Sequence, residues 1–374
     1  MLGPFFSIVA LLMASFVMPQ GIVRLELNTL PEYHPSGSDV FIAGSFNGWN
    51  PQDSNYKFKR NDKGDYYFDL RLADGKYEYK ITRGGWDKAE CKKGGGFVAN
   101  HLLVVPGEAT VELNIEEWAD RFPSKPRVST ANKNVHIIDT AFVIPQLKRV
   151  RRIWVYLPDD YAGSKNRYPV LYMHDGQNVF DDATSFSGEW GVDECIDSMK
   201  KKCIIVAVDN GGMKRINEYC PYDMERFGKG EGDQYIDFLA KTLKPYIDKG
   251  YRTLKGKENT FIAGSSMGGI ISMYAMLKYP DVFGGAGVFS PAFWVGPKIF
   301  DDIKAKGKQV NSKIYFYAGG QEGEAMMPDM QRAYDLMKRV SKSKMTTVVR
   351  EGGRHNEARW RIEFPLFYEW LLNN

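Results

Sequence analysis

The chain has 374 residues, 43% of them apolar and 26% charged, with a formal net charge of +4. At ~150 residues per domain that length corresponds to about two domains. The balance is that of a globular protein and excludes a wholly disordered, collagen-like or multi-span membrane chain. So small a net charge supplies no domain-wide basic field, and nucleic acid is not the expected partner.

Residues 1–18, MLGPFFSIVALLMASFVM, form an apolar run. It fits the hydrophobic region of a secretory leader over 1–21, although no Lys or Arg precedes it and no A-x-A site follows. An N-terminal strand is the competing reading. A leader implies a secreted or periplasmic protein with no stable membrane association after its removal; without one the chain stays cytoplasmic.

Residues 22–116 read as short strands broken by turns: VRLELN (23–28), VFIAGSF (40–46), DYYFDLRL (65–72), KYEYKITR (76–83), LLVV (102–105) and ATVELNI (109–115). Strands at ~8–12-residue spacing predict a small β-sandwich. Residues 117–135 are polar, contain Pro123 and Pro126 and show no sustained period, which reads as a linker.

From 136 to 374 the pattern changes. RIWVYLP (152–158), VLYMHD (170–175), IIVAVDN (204–210), FIAGS (261–265), AGVFS (286–290), KIYFYAGG (313–320) and TTVVRE (346–351) are near-continuous apolar runs. Such runs predict strands buried on both faces of a mostly parallel sheet. Helical stretches alternate with them; Tyr235, Phe238, Leu239, Tyr246 and Ile247 share one face, as do Met330, Tyr334, Met337 and Val340. The fold class is therefore α/β, preceded by a small all-β domain. Cys91, Cys195, Cys203 and Cys220 form no CxxC pair and no zinc-type spacing, so neither a metal nor a cofactor is expected; they are either free thiols or a disulfide that spacing cannot assign.

Residues 264–269 read Gly-Ser-Ser-Met-Gly-Gly, so Gly264-x-Ser266-x-Gly268 lies between a strand and the helical run IISMYAMLKY. A serine on so tight a strand-to-helix turn is lifted above the sheet edge as a nucleophile, and the glycines give the turn room. The competing reading is a plain turn. Such elbows are followed in chain order by an acid and then a histidine. Of the five histidines, only His355 lies beyond Ser266. The acid should follow a strand, and Glu322, just after KIYFYAGG, is the choice over Glu324 and Asp329. Two N–H donors are needed for a tetrahedral oxyanion; Met267, after the nucleophile, and Gln177, after VLYMHD, are the candidates. His174 is read as structural or cleft-lining, and Asp175 as bracing that loop by hydrogen bonds.

These residues resemble the esterase D-like branch of the α/β-hydrolases, which includes feruloyl and acetylxylan esterases of carbohydrate esterase family one, enterobactin-type siderophore esterases and mycolyltransferases. The resemblance covers 136–374 and rests on YPVLYMHDGQNVFD (168–181), GSSMGG, FSPAFW (289–294), the Gly-Gly-Gln-Glu segment and GGRHNEARW (352–360). It implies an α/β-hydrolase fold, and its pattern places the acid two residues after the glycine pair, at Glu322. The front domain resembles the glycogen/starch-binding type of carbohydrate module, an immunoglobulin-like sandwich, through FNGWNP (46–51), GKYEYKITRGGW (75–86) and FVANHLL (97–103). The resemblance implies sugar contacts at Trp49, Lys80, Trp86 and Asn100; the alternative is a packing domain with Trp49 in its core.

The expectation is a serine carboxylic-ester hydrolase working through an acyl-enzyme, acting on feruloyl or acetyl esters of plant polysaccharide. Its competitors are a siderophore trilactone esterase, an acyltransferase, and a carbohydrate-binding protein with a vestigial hydrolase domain. Trp190, Trp294 and Phe293 are cleft walls or core. Arg215 holds a substrate carboxylate or catecholate, or pairs with Glu218.

Overall fold

The computed structural model describes residues 20–96, 98–106, 109–122 and 127–373. The chain splits into two compact units between residues 125 and 126. The leader expected over 1–21 falls almost entirely outside the described residues; Gln20 and Gly21 already belong to the first strand. No helix among the described residues is long and apolar enough to cross a membrane.

In the first unit the strands are β1 (Gln20–Thr29), β2 (Phe41–Gly44), β3 (Lys59–Arg60), β4 (Tyr66–Ala73), β5 (Gly75–Thr82), β6 (Glu90–Cys91), β7 (His101–Val105), β8 (Thr110–Asn114) and β9 (Glu117–Trp118). They make a four-stranded sheet β3-β4-β1-β8, a three-stranded sheet β2-β5-β7 and the pair β6-β9. Alternation explains the layering. Val23, Leu25 and Leu27 on β1 and Leu70 and Leu72 on β4 share one core with Ile42 on β2, Tyr79 and Ile81 on β5, and Leu103 and Val105 on β7. The two main sheets therefore bury one face each against the other, as a β-sandwich does.

The second unit carries β10 (Val135–Ile144), β11 (Arg149–Tyr156), β12 (Val170–His174), β13 (Ile204–Val208), β14 (Thr260–Ser265), β15 (Gly285–Phe289), β16 (Lys313–Gly319) and β17 (Lys344–Arg350). They form one eight-stranded sheet in the order β10-β11-β13-β12-β14-β15-β16-β17. From β13 to β17 all pairings are parallel; β10 and β11 join antiparallel. Successive residues feed opposite faces: Ile153 and Val155 belong to one core, Trp154 and Tyr156 to the other, and Val170 and Tyr172 divide from Leu171 and Met173 in the same way. Both faces are covered, which is why these strands read as unbroken apolar runs. The unit is an α/β-hydrolase fold.

The helices are α1 (Val192–Ser198), α2 (Arg215–Tyr219), α3 (Gly232–Phe238), α4 (Lys244–Gly250), α5 (Met267–Lys278), α6 (Ile299–Lys306), α7 (Met326–Val340) and α8 (Glu357–Leu372). The helical face expected over 232–247 is real, and the backbone is helical throughout, but its winding changes midway. A wide π turn at Leu239–Leu243 separates α3 from α4. Pro245, which has no N–H to give to the preceding turn, lies just after it, where the wider winding accommodates the missing bond.

The polar stretch 117–135 is not one loose linker. Its start forms β9 and a short helical turn, Ala119–Arg121, in the first unit. Its end is sewn to the second unit. Arg127 donates to the carbonyls of Asp182 (2.8 Å) and Ser185 (3.1 Å), Ser129 Oγ to Asp181 (2.8 Å), and the Asn132 N–H to Asp193 (2.9 Å). The four cysteines are free thiols, three of them buried.

Candidate active site

Because β12 through β17 run parallel, their carboxyl ends share one edge of the sheet, and the loops leaving them converge there. Gln177 follows β12, Arg215 follows β13, Ser266 follows β14, Trp294 follows β15, Glu322 follows β16 and His355 follows β17. Sequence order along the chain thus becomes a cluster in space.

Ser266 lies between β14 and α5 with φ +59° and ψ −117°, a conformation that L residues rarely adopt. The flanking glycines are required by contact. A Cβ on Gly264 would stand 3.1 Å from the Gly268 Cα and 2.8 Å from the His174 ring. The strained residue is held by its backbone: its N–H donates to the Phe289 carbonyl (2.9 Å), and its carbonyl accepts from the Ala292 N–H (3.0 Å). Met267 follows as the first residue of α5, where N–H groups lack intrahelical partners and the helix dipole favours negative charge.

His355 Nδ1 lies 3.0 Å from Glu322 Oε2. The Glu322 side chain is 0% exposed and its other oxygen accepts from Ser290 Oγ (2.9 Å) and the Gly319 N–H (2.8 Å). With Nδ1 on the carboxylate, Nε2 is the ring nitrogen left for proton transfer. Glu324 is exposed and Asp329 sits in the first turn of α7, so neither competitor makes this contact.

The loop after β12 turns on Asp175, which has φ +56°, into a short helical turn, Gly176–Asn178. Gly176 has no room for a side chain: a Cβ would meet backbone atoms of residues 207–209 at 2.8–3.0 Å. Asp175 is gripped by Arg215, Nε to Oδ1 at 2.6 Å and Nη2 to Oδ2 at 2.8 Å, and by Asn210 at 2.7 Å. Burial pushes its carboxyl upward, but these partners outweigh burial and hold it below the usual carboxylate range. The Asn210 N–H donates to Gln177 Oε1 (3.1 Å), so the side chain of Gln177 is fixed from the same strand end. His174, paired with the Tyr235 hydroxyl at 3.0 Å, is pushed down to about 3 by burial and is neutral at pH 7. It braces the elbow from beneath.

Three expected substrate contacts divide. Trp294 is 47% exposed at this edge, with Phe186 and Met213, which the sequence did not single out, also exposed on loops after β12 and β13. Trp190 is 4% exposed and stacks on Trp360 (5.7 Å, 28°), so it is core rather than cleft wall; Phe293 is buried as well. Arg215 pairs with Asp175, not Glu218, through Nε and Nη2, so its first anionic partner is a side chain of the loop after β12. Glu218 is held by Arg149 and Arg151. Ser290 and Trp360 were invisible as site residues because their partners lie 32 and 70 positions away along the chain. Among the described residues, no three His, Cys, Asp or Glu side chains come together to hold a metal ion.

In the first unit, the FNGWNP turn is fixed by Asn47, whose side chain accepts from the Gly44 N–H (2.8 Å) and donates to the Ile42 carbonyl (3.0 Å). It presents Trp49 to Trp86, with ring centres 6.3 Å apart and Trp86 43% exposed. Lys80 departs from expectation: its stem is buried and its amino group donates to the carbonyls of Val98 and Ala99. Asn100 donates to Glu78 (3.0 Å).

Residues 144–366 match the esterase family described as "Putative esterase". The chain is similar to the uncharacterized protein YbbA of Bacillus subtilis, 23% identical over 236 residues, covering 59% of this chain and 92% of that one. It is also similar to an endo-1,4-beta-xylanase/feruloyl esterase of Xylanibacter ruminicola, 28% identical over 214 residues, which are 55% of this chain but 27% of that one. Among solved structures, the BES protein of Bacillus cereus superposes with a TM-score of 0.56 at 17% identity over 67% of this chain and 99% of that one. The enterobactin esterase of Shigella flexneri superposes with a TM-score of 0.50 at 16% identity over 94% and 92%.

Proposed function

We propose a specific chemistry for this chain, which belongs to the esterase family and is a carboxylic-ester hydrolase: a Ser266–His355–Glu322 triad acting through an acyl-enzyme. The observation that carries it is the His355–Glu322 contact, on loops of the same sheet edge as a serine held at φ +59°. In this reading His355 Nε2 takes the proton as Ser266 Oγ attacks the ester carbonyl, and returns it to the departing alkoxide. The N–H groups of Met267 and Gln177 receive the oxyanion. Water, deprotonated by the same imidazole, then releases the acid. Glu322 keeps the Nδ1–H tautomer and balances the imidazolium.

The substrate we infer is a feruloyl or acetyl ester on plant polysaccharide, met outside the cell. Two features support it. Phe186, Met213 and Trp294 are exposed apolar side chains on loops that leave this sheet edge, and a flat acyl group would find apolar surface on them. The Trp49–Trp86 pair offers rings for stacking on a pyranose face, so the first unit would hold polymer near the second.

The test is a hydrolysis panel of methyl ferulate, acetylated xylan, p-nitrophenyl acetate and a ferric trilactone siderophore, run with the intact chain and with Ser266→Ala. Ser266→Ala is expected to abolish turnover and fluorophosphonate labelling while the protein stays folded. Activity retained in that variant removes the triad; turnover of the siderophore alone moves the substrate to a trilactone.

A further inference from the structure

Residues 289–293 meet both ends of the catalytic machinery. Phe289 and Ala292 bond the backbone of Ser266 on either side, and between them Ser290 reaches Glu322. Gly269 permits the approach, since a Cβ there would stand 2.8 Å from the Phe289 carbonyl and 2.9 Å from Pro291.

Ser290 is fully buried, with φ +42°. Glycine would occupy that backbone without strain, so the strained serine directs attention to its hydroxyl. Trp360 Nε1 lies 2.9 Å from Ser290 Oγ, and Ser290 Oγ lies 2.9 Å from Glu322 Oε1. An indole N–H only donates and a carboxylate only accepts. The hydroxyl must therefore accept from Trp360 and send its one proton to Glu322. The Gly319 N–H supplies a second donor to the same oxygen, which leaves Oε2 to His355. The Trp360 ring also packs edge-on against His355, at 5.1 Å and 84°.

We propose that Ser290, its hydroxyl locked by Trp360, is a positioning residue for the ester hydrolysis: it fixes the rotation of the Glu322 carboxylate and, through it, the aim of His355. This rests on the reading of Ser266, His355 and Glu322 as the triad. Trp360 links the two partners, since one indole touches the base with its ring and reaches the acid through its N–H.

The experiment measures kcat and KM on p-nitrophenyl acetate, per active site counted by fluorophosphonate titration. Ser290→Gly, which suits the backbone, and Trp360→Phe, which keeps a smaller aromatic ring and removes the N–H, are compared with the intact chain and in a Glu322→Gln background. Ser290→Gly is expected to lower kcat about 10- to 100-fold with KM within about twofold, less than loss of the acid itself. Trp360→Phe should move kcat the same way by less. In the Glu322→Gln background Ser290→Gly should cost under about twofold more, because its partner's charge is already gone. A kcat within about twofold of the intact chain for Ser290→Gly, or an equal loss in both backgrounds, overturns the proposal. If Ser290→Gly fails to fold, an unchanged kcat in Trp360→Phe overturns it. Full activity in Glu322→Gln alone would instead defeat the triad, and this assignment with it.

Discussion

A proton on His355 Nδ1 needs a charge to hold it, and Glu322 is the carboxylate at 3.0 Å. Glu322→Gln keeps the shape and removes the charge, so kcat should fall by about 10³–10⁴, the scale known for triad acids. Glu324→Gln, at an exposed turn position, should change kcat by less than about twofold. Stopped-flow or steady-state rates on one small ester decide the ranking, and the reverse order would transfer the role to Glu324. Ser266 and His355 were legible in the sequence because their signal is local: glycines around a serine, and a lone histidine beyond it. Trp190 and Arg215 were not. Whether a tryptophan lines a cleft or packs in a core depends on Trp360, 170 positions away, and which carboxylate an arginine pairs with depends on Asp175, 40 positions away.

Among the elements, every strand drawn from an apolar run is present, because burial on one or both faces writes itself directly into residue order. The two-residue strands β3, β6 and β9 are too short to carry a period, and β10 (VHIIDTAFVI) is an edge strand whose apolar residues are split by Asp139 and Thr140 and stay in part exposed. Helix α1 carries a testable cost. Burial pushes the Asp193 carboxyl up to about 7, with the Asn132 N–H only partly compensating and Oδ1 left without a partner. The folded state thus favours the neutral acid, and a carboxyl raised above its unfolded value stabilises below pH ~4 and loses that contribution as pH rises through 7. Asp193→Asn keeps an acceptor for Asn132 and removes the ionisation. It should raise the unfolding midpoint by a few degrees at pH 8 and change it little at pH 5. Equal shifts at both pH values, read by thermal melts, would show that the carboxyl is not being forced to ionise.

At the scale of the whole molecule, the division into a β-rich front and an α/β rear was readable from the change of pattern near 136, but the join was not, since its polar residues look alike whether they dangle or are bonded. If the front unit serves polymer, Trp86→Ala should lose ~1–2 kcal/mol of stacking, or ~5–30-fold in retention on insoluble xylan or glucan. Turnover of p-nitrophenyl acetate should hardly change. Equal losses on polymer and small ester, measured side by side, would remove the glycan-holding role. The bonded end of the join bears on how the two units can be separated. Ser129 and Thr130 hold Asp181, Arg127 holds the turn through Ser185, and the next residue, Phe186, donates its N–H to Asn178 beside Gln177. A protease or a gene truncation that frees the rear unit at residue 136 removes these bonds, and it is expected to loosen the loop that carries Gln177, the proposed oxyanion donor, and to lower the rate on p-nitrophenyl acetate. The smallest piece expected to hydrolyse esters at full rate begins at Arg127, nine residues ahead of the point where the apolar pattern changes; equal rates from pieces beginning at 127 and at 136 would show that these bonds do not matter to the site.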